Sequence, residues 1–215
     1  MGDAIVGAVD VLLYKASADN HLRITYLICG SLSLVSNLLV LLCYVGTSPL
    51  SRFPSSMLRW RIVCDAIVSA QFVLLSVHQL ADWKVNPDST GDEACTPTLA
   101  FLVQFGMFGS LSWYAMLSLD LYFSVTRPFT RPIERLGLYQ AWVWVGSVLT
   151  GACAAVRHGY RPVYHVCWTG NPMEDPFTMG SMWMLFFGWL IAYALLSVVV
   201  LLYCQSQLLL GGERW

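Results

Sequence analysis

The stretch I-T-Y-L-I-C-G-S-L-S-L-V-S-N-L-L-V-L-L-C-Y-V (Ile24–Val45) runs for 22 residues without a charge. A helix rises about 1.5 Å per residue, so roughly 20 apolar residues cross a hydrocarbon layer of ~30 Å. A strand of a membrane barrel needs only ~10 residues and alternates apolar with polar side chains. Ile24–Val45 does not alternate, and it reads as a spanning helix. Four further segments read the same way: Ile62–Ala81, Thr98–Val125, Gly137–Val156 and Phe177–Cys204. Asp65 and Asp120 are the only charges in the five segments. The pattern predicts an all-α integral membrane bundle of five transmembrane helices, with residues 1–215 forming a single transmembrane domain.

Composition agrees. Hydrophobic residues make up 57% of the 215, charged residues only 12%, and the mean hydropathy is +0.60. Soluble domains carry about 25% charged residues. These values exclude disorder, collagen and coiled coil, and they argue against a soluble enzyme. A formal net charge of -1 offers no basic footprint for nucleic acid. The nine prolines all fall in or beside the predicted connections 46–61, 82–97, 126–136 and 157–176, as helix breakers should.

The N-terminus lacks a secretory signal: Met1–Leu13 carries Asp3 and Asp10 and no basic region. Val6 breaks the myristoylation pattern after Gly2. The first span is then the targeting signal. Orientation follows from the basic residues. Arg52, Arg59, Arg61, Arg127, Arg131, Arg135 and Arg214 share one side; Lys15, Arg23, Lys84, Arg157 and Arg161 share the other. The first group sits in short loops near helix ends, where positive charge marks the cytoplasmic side. The expectation is a plasma-membrane protein with its N-terminus outside.

Of seven cysteines, Cys29, Cys43, Cys64, Cys153 and Cys204 lie in or at the ends of spans, where a small apolar packing role suffices. Cys95 and Cys167 lie in outer connections, where oxidation is permitted. A disulfide between them would tie the fourth connection over the mouth of the bundle; two unrelated loop thiols are the alternative. Nothing matches a zinc-ligand spacing, and no metal or cofactor is expected.

Polar groups inside a membrane are costly and usually face other helices or water. Asn37 and Asp65 could satisfy each other across a helix pair, as a polar switch or as simple interhelical packing. Asp120, near the inner end of the third span, is a candidate for a cytoplasmic coupling surface with Arg127 and Arg131, or a solvated helix-end acid. Gln104, Ala115, Ser118 and Tyr122 fall near one line of the third helix. That line reads as a ligand-facing stripe or as packed interface, and Gln104 and Trp168 are the candidate ligand-facing residues. Trp83, Trp142, Trp144, Trp168, Trp183 and Tyr203 read as interfacial anchors. Gly188/Ala192 and Ser147/Gly151 have the spacing of close helix contacts. No catalytic motif occurs, and the chain is not expected to be an enzyme.

The order of these features resembles the front of a seven-helix G-protein-coupled receptor. Asn37 in S-N-L-L-V-L-L resembles the family's first-helix asparagine, and Asp65 in C-D-A-I-V-S-A its second-helix aspartate. Cys95 and Cys167 resemble its disulfide pair, and Trp142 or Trp144 its fourth-helix tryptophan. Phe53–Asp65, Gly109–Leu119 and Val166–Trp168 are most similar to the slime-mould cyclic-AMP-receptor-like group. The third helix ends D-L-Y (Asp120–Tyr122) rather than D-R-Y, so coupling through that arginine does not carry over. The resemblance covers about residues 24–204 and implies the first five helices of a C-terminally incomplete receptor. It further implies an extracellular ligand, a heterotrimeric G protein as inner partner, and a full-length receptor or homo-oligomer beside it in the lipid bilayer. A transporter or channel component is the alternative.

Overall fold

The computed structural model describes residues 2–46, 55–85, 95–126, 132–156, 158–161, 166–169 and 183–211. Five long helices account for most of them: α1 (Gly2–Gly46), α2 (Ser55–Val85), α3 (Pro97–Thr126), α4 (Pro132–Val156) and α5 (Gly188–Gly211). A π-helical turn, Trp183–Phe187, leads into α5. The protein is an all-α membrane helical bundle with one small addition. Strands β1 (His158–Arg161) and β2 (Val166–Thr169) pair antiparallel, with Gly159 opposite Trp168 and Tyr160 opposite Cys167.

Over His21–Tyr44, Ser56–His78, Pro97–Thr126 and Gly188–Gln207, the helices are long and apolar enough to cross a membrane. The fourth predicted span lies in α4, which has 25 residues. Tyr139, Gln140, Trp142 and Trp144 dilute its apolarity, and α4 falls outside that set. The helices also outrun the predicted boundaries. α1 begins at Gly2 rather than at residue 24, because the first proline of the chain is Pro49 and nothing earlier forces a stop. α2 begins at Ser55, so Asp65 lies nearly three turns inside it. Pro97 and Pro132 open α3 and α4, the position where a missing N–H costs nothing. Thr96 caps α3: its hydroxyl accepts from the Leu99 N–H at 3.3 Å.

α3 is the hub, packing against α2, α4 and α5, while α1 joins the bundle through α2. The reason is visible in its side chains. α3 has small or polar residues on several sides, and Ala100, Gln104, Ser112 and Ala115 are fully buried. Gly109 permits close approach on two sides: a Cβ there would lie 2.8 Å from the Cys64 sulfur and 3.2 Å from the Ser147 hydroxyl. Three helices meet at that point. Ser147 is fully buried and Gly151 is buried beside it, whereas Gly188 and Ala192 are exposed.

The inner core gathers Met57, Cys64, Trp113, Met116, Tyr139 and Val143. Trp144 is its aromatic centre, with ring centroids 5.4 Å from Trp60, 5.8 Å from Phe105 and 6.0 Å from Trp113. Residues two apart on a helix point about 200° away from each other, so Trp142 goes elsewhere. Its indole donates to the Tyr193 hydroxyl of α5 at 3.1 Å. Neither tryptophan is a simple interfacial anchor. Tyr203 packs its ring on Tyr122 at 5.2 Å; the side chains of Trp83 and Trp183 lie outside the described residues.

Candidate functional site

Three polar constellations lie along the bundle. The first, at the head of α3, is built by the hairpin. Cys95 and Cys167 form a disulfide with Cα atoms 5.1 Å apart, fastening β2 to the head of α3. Successive strand residues point to opposite faces, yet both Cys167 and Trp168 are buried. Cys167 packs against Leu75 of α2 and Ala100 of α3. Trp168 packs against Val103 of α3 and, edge to face at 5.4 Å, against Phe186. β2 is therefore wedged into the bundle mouth with helices on both sides.

The Trp168 indole donates to the Gln104 side-chain oxygen at 2.7 Å, and Gln104 is 0% exposed. The two candidate ligand-facing residues thus meet each other. The hairpin covers Gln104, and its amide oxygen holds a buried indole. The rest of the stripe is packed interface. Ser118 donates to the Tyr114 carbonyl at 3.2 Å and lies 3.1 Å from the Ser197 hydroxyl of α5, so Ser197 donates to Ser118.

The middle constellation joins α1, α2 and α3. Asn37 and Asp65 line one cavity of about 410 Å³, together with Tyr26, Ser33 and Ser69. Asp65 has closer partners than Asn37. One carboxylate oxygen accepts from the Ser110 hydroxyl of α3 at 2.5 Å, and the other lies 3.7 Å from Arg61 Nε, one turn earlier on α2. Ser69 donates to the Asp65 carbonyl at 2.8 Å. Ser33 and Ser69 hydroxyls are 2.8 Å apart, and Ser69 has only one proton, so Ser33 is the donor between α1 and α2. The Arg61 guanidinium also covers the Tyr114 ring at 5.2 Å, a cation–π contact between α2 and α3.

The third constellation, at the end of α3 away from the hairpin, joins α3 and α4. Asp120 is 6% exposed and faces Arg135, with 3.8 Å between Oδ1 and Nη2. Arg135 lies over the Phe123 ring at 4.9 Å. The solvated helix-end reading of Asp120 does not hold: the first turn of α4 covers it and supplies its counter-ion. Arg127 and Arg131, its expected companions, lie outside the described residues.

Ser110 and Tyr193 are the participants that sequence reading missed. Ser110 and Tyr193 are ordinary residues of apolar spans, and their partners lie 45 residues away at Asp65 and 51 away at Trp142. Arg135 was legible as a basic residue near a helix end, and its signal was absorbed by the topology count. Among the described residues no group of histidine, cysteine and acidic side chains is arranged to hold a metal ion.

No protein-family model matches the chain, and no curated protein matches it. Among solved structures, the chain is similar to a crystal structure of squid rhodopsin. The TM-score is 0.69 and the identity 20%, over 93% of this chain and 60% of that one. The chain thus spans about three fifths of the rhodopsin chain it matches, and at this identity the likeness establishes the fold: the helix arrangement of a rhodopsin.

Proposed function

We propose that the chain is a G-protein-coupled-receptor-like transmembrane signalling protein of the plasma membrane, its N-terminus outside. The observation that carries this reading is the rhodopsin-like arrangement of the helices around α3. The disulfide from the head of α3 to a hairpin wedged in the outer mouth fits the same reading. An extracellular ligand would act from the hairpin side by favouring one of two bundle packings. The inner surface, bordered by Asp120 and the loop arginines Arg127 and Arg131, would meet a heterotrimeric G protein. A transporter would need unpaired intramembrane charge along a route; Asp65 and Asp120 are each held by an arginine.

Within this reading the five helices match the first five of a seven-helix receptor of the cyclic-AMP-receptor-like group, and a full-length receptor or a second copy is the partner beside them in the bilayer. The test expresses residues 1–215 alone and together with a full-length receptor of that group, and measures surface delivery and nucleotide exchange on G protein. Co-purification with the receptor and a changed exchange rate are expected. An unchanged rate without association would overturn the partner, and ligand-dependent exchange by the chain alone would show a self-sufficient five-helix receptor. A cysteine placed at Thr130 should resist an impermeant thiol reagent added outside intact cells; labelling would reverse the orientation.

A further inference from the structure

We propose that the groove between α4 and α5 seats one acyl chain of a bilayer phospholipid. Both helices lean on α3, and a space of about 480 Å³ opens between them. Trp142, Val145 and Leu149 of α4 form one wall and Trp189 of α5 the other, with Phe108 of α3 as the floor. The floor depends on Gly146. A Cβ at that position would lie 2.6 Å from the Phe108 ring, so the ring reaches the groove only because position 146 lacks a side chain. Phe108 and Trp189 pack edge to face at 5.7 Å, and Trp142 meets Trp189 at 6.2 Å. The groove thus has a continuous aromatic lining.

Its depth selects an apolar occupant. Phe108 and Trp189 lie within helices that cross the hydrocarbon layer, and Val145 and Leu149 are more than half exposed. Aromatic faces left without partner atoms would forfeit dispersion contacts. Its size excludes a protein partner. A helix with side chains is about 10–12 Å across, and a stable interface takes about 800 Å² from each partner; the groove's lining is far smaller.

Its chemistry favours a hydrocarbon chain over a sterol. The Thr150 hydroxyl donates to the Gly146 carbonyl at 2.8 Å, and the Trp142 indole donates to Tyr193 at 3.1 Å. Both donors are spent inside the protein and the lining is otherwise almost wholly apolar, so a rigid ring system carrying a hydroxyl gains little from burial there. A flexible chain entering sideways needs none.

The test reconstitutes the full chain in bilayers of palmitoyl-oleoyl-phosphatidylcholine with added ergosterol, extracts it in mild detergent, and weighs it by native mass spectrometry. One retained phosphatidylcholine per chain is expected. Val145→Phe and Ala141→Phe fill the groove from its open side and should each lower the retained fraction about tenfold, the equivalent of roughly two buried methylenes. Leu195→Phe, on an exposed position of α5 outside the groove, should leave it unchanged. Helical circular dichroism and the Cys95–Cys167 linkage verify that each variant is folded. Absence of phospholipid from the wild-type chain overturns the proposal even where a variant does not fold. Preferential retention of ergosterol, equal loss in Leu195→Phe, or a dimer abolished by Val145→Phe would overturn it as well.

Discussion

The indole of Trp168, on a strand outside the helices, donates to Gln104 at 2.7 Å, about two turns below the head of α3. A buried donor and acceptor that hold each other stabilise modestly, while either one left alone pays its full desolvation cost. Gln104→Leu and Trp168→Phe should therefore each lower stability by about 1–3 kcal/mol. The double substitution should cost less than the sum, by about 1 kcal/mol. Thermal unfolding in detergent or nanodiscs, run as a double-mutant cycle, measures both. Additive losses would show that the two side chains act independently.

The Cys95–Cys167 bridge closes a sequence separation of 72 residues. Loop-closure entropy values such a bridge at about 4 kcal/mol. Cys95→Ala with Cys167→Ala should lower the unfolding midpoint and free β2 from the mouth. Non-reducing peptide mapping should recover the two cysteines linked, and free thiols at both positions would refute the pairing.

Asp120 and Arg135 pair across α3 and α4 with side chains only 8% and 18% exposed. Removing one charge leaves the other buried without its partner, which costs about 3 kcal/mol. Asp120→Asn and Arg135→Gln should each destabilise by that amount. The double variant should recover much of it, because no lone charge remains. Chemical denaturation in a fixed detergent is the measurement; a double variant as unstable as the sum would mean that the ion pair is not the source.

Gly109 faces Cys64 and Ser147 at once. Gly109→Ala should cost about 1–3 kcal/mol through overpacking. Cys64→Ala removes the sulfur 2.8 Å from the new methyl and should restore part of the loss in the double variant. Failure of Cys64→Ala to help would place the clash at Ser147 instead.

Much of this architecture was legible from runs of uncharged residues, because a bilayer demands length and apolarity and both are visible locally. Ile24–Val45 and Thr98–Val125 fall within helices long and apolar enough to cross a membrane. Boundaries were less legible: α1 and α2 begin well before their apolar runs, since a helix stops at a breaker and not where hydropathy falls. The hairpin was read as a plain connection, because His158–Arg161 and Val166–Thr169 are too short and mixed for alternation to show. The polar sites were half legible. Asp65 and Asp120 stand out as lone acids in apolar runs. Ser110 and Arg135, which hold them, stand out only when the helices are laid side by side.

The wedged position of β2 sets an order of assembly. Cys167 finds its pocket on α2 and α3, both already synthesised when β2 emerges, so the disulfide can close at once. Trp168 rests on Phe186, which is made later and arrives only with α5. The same four-residue strand is thus fastened in two strokes, first by oxidation and then by closure of α5 and its leading turn over the other face. A nascent chain halted between them would carry its disulfide while still presenting an unseated tryptophan, a signature that a chaperone can read as unfinished.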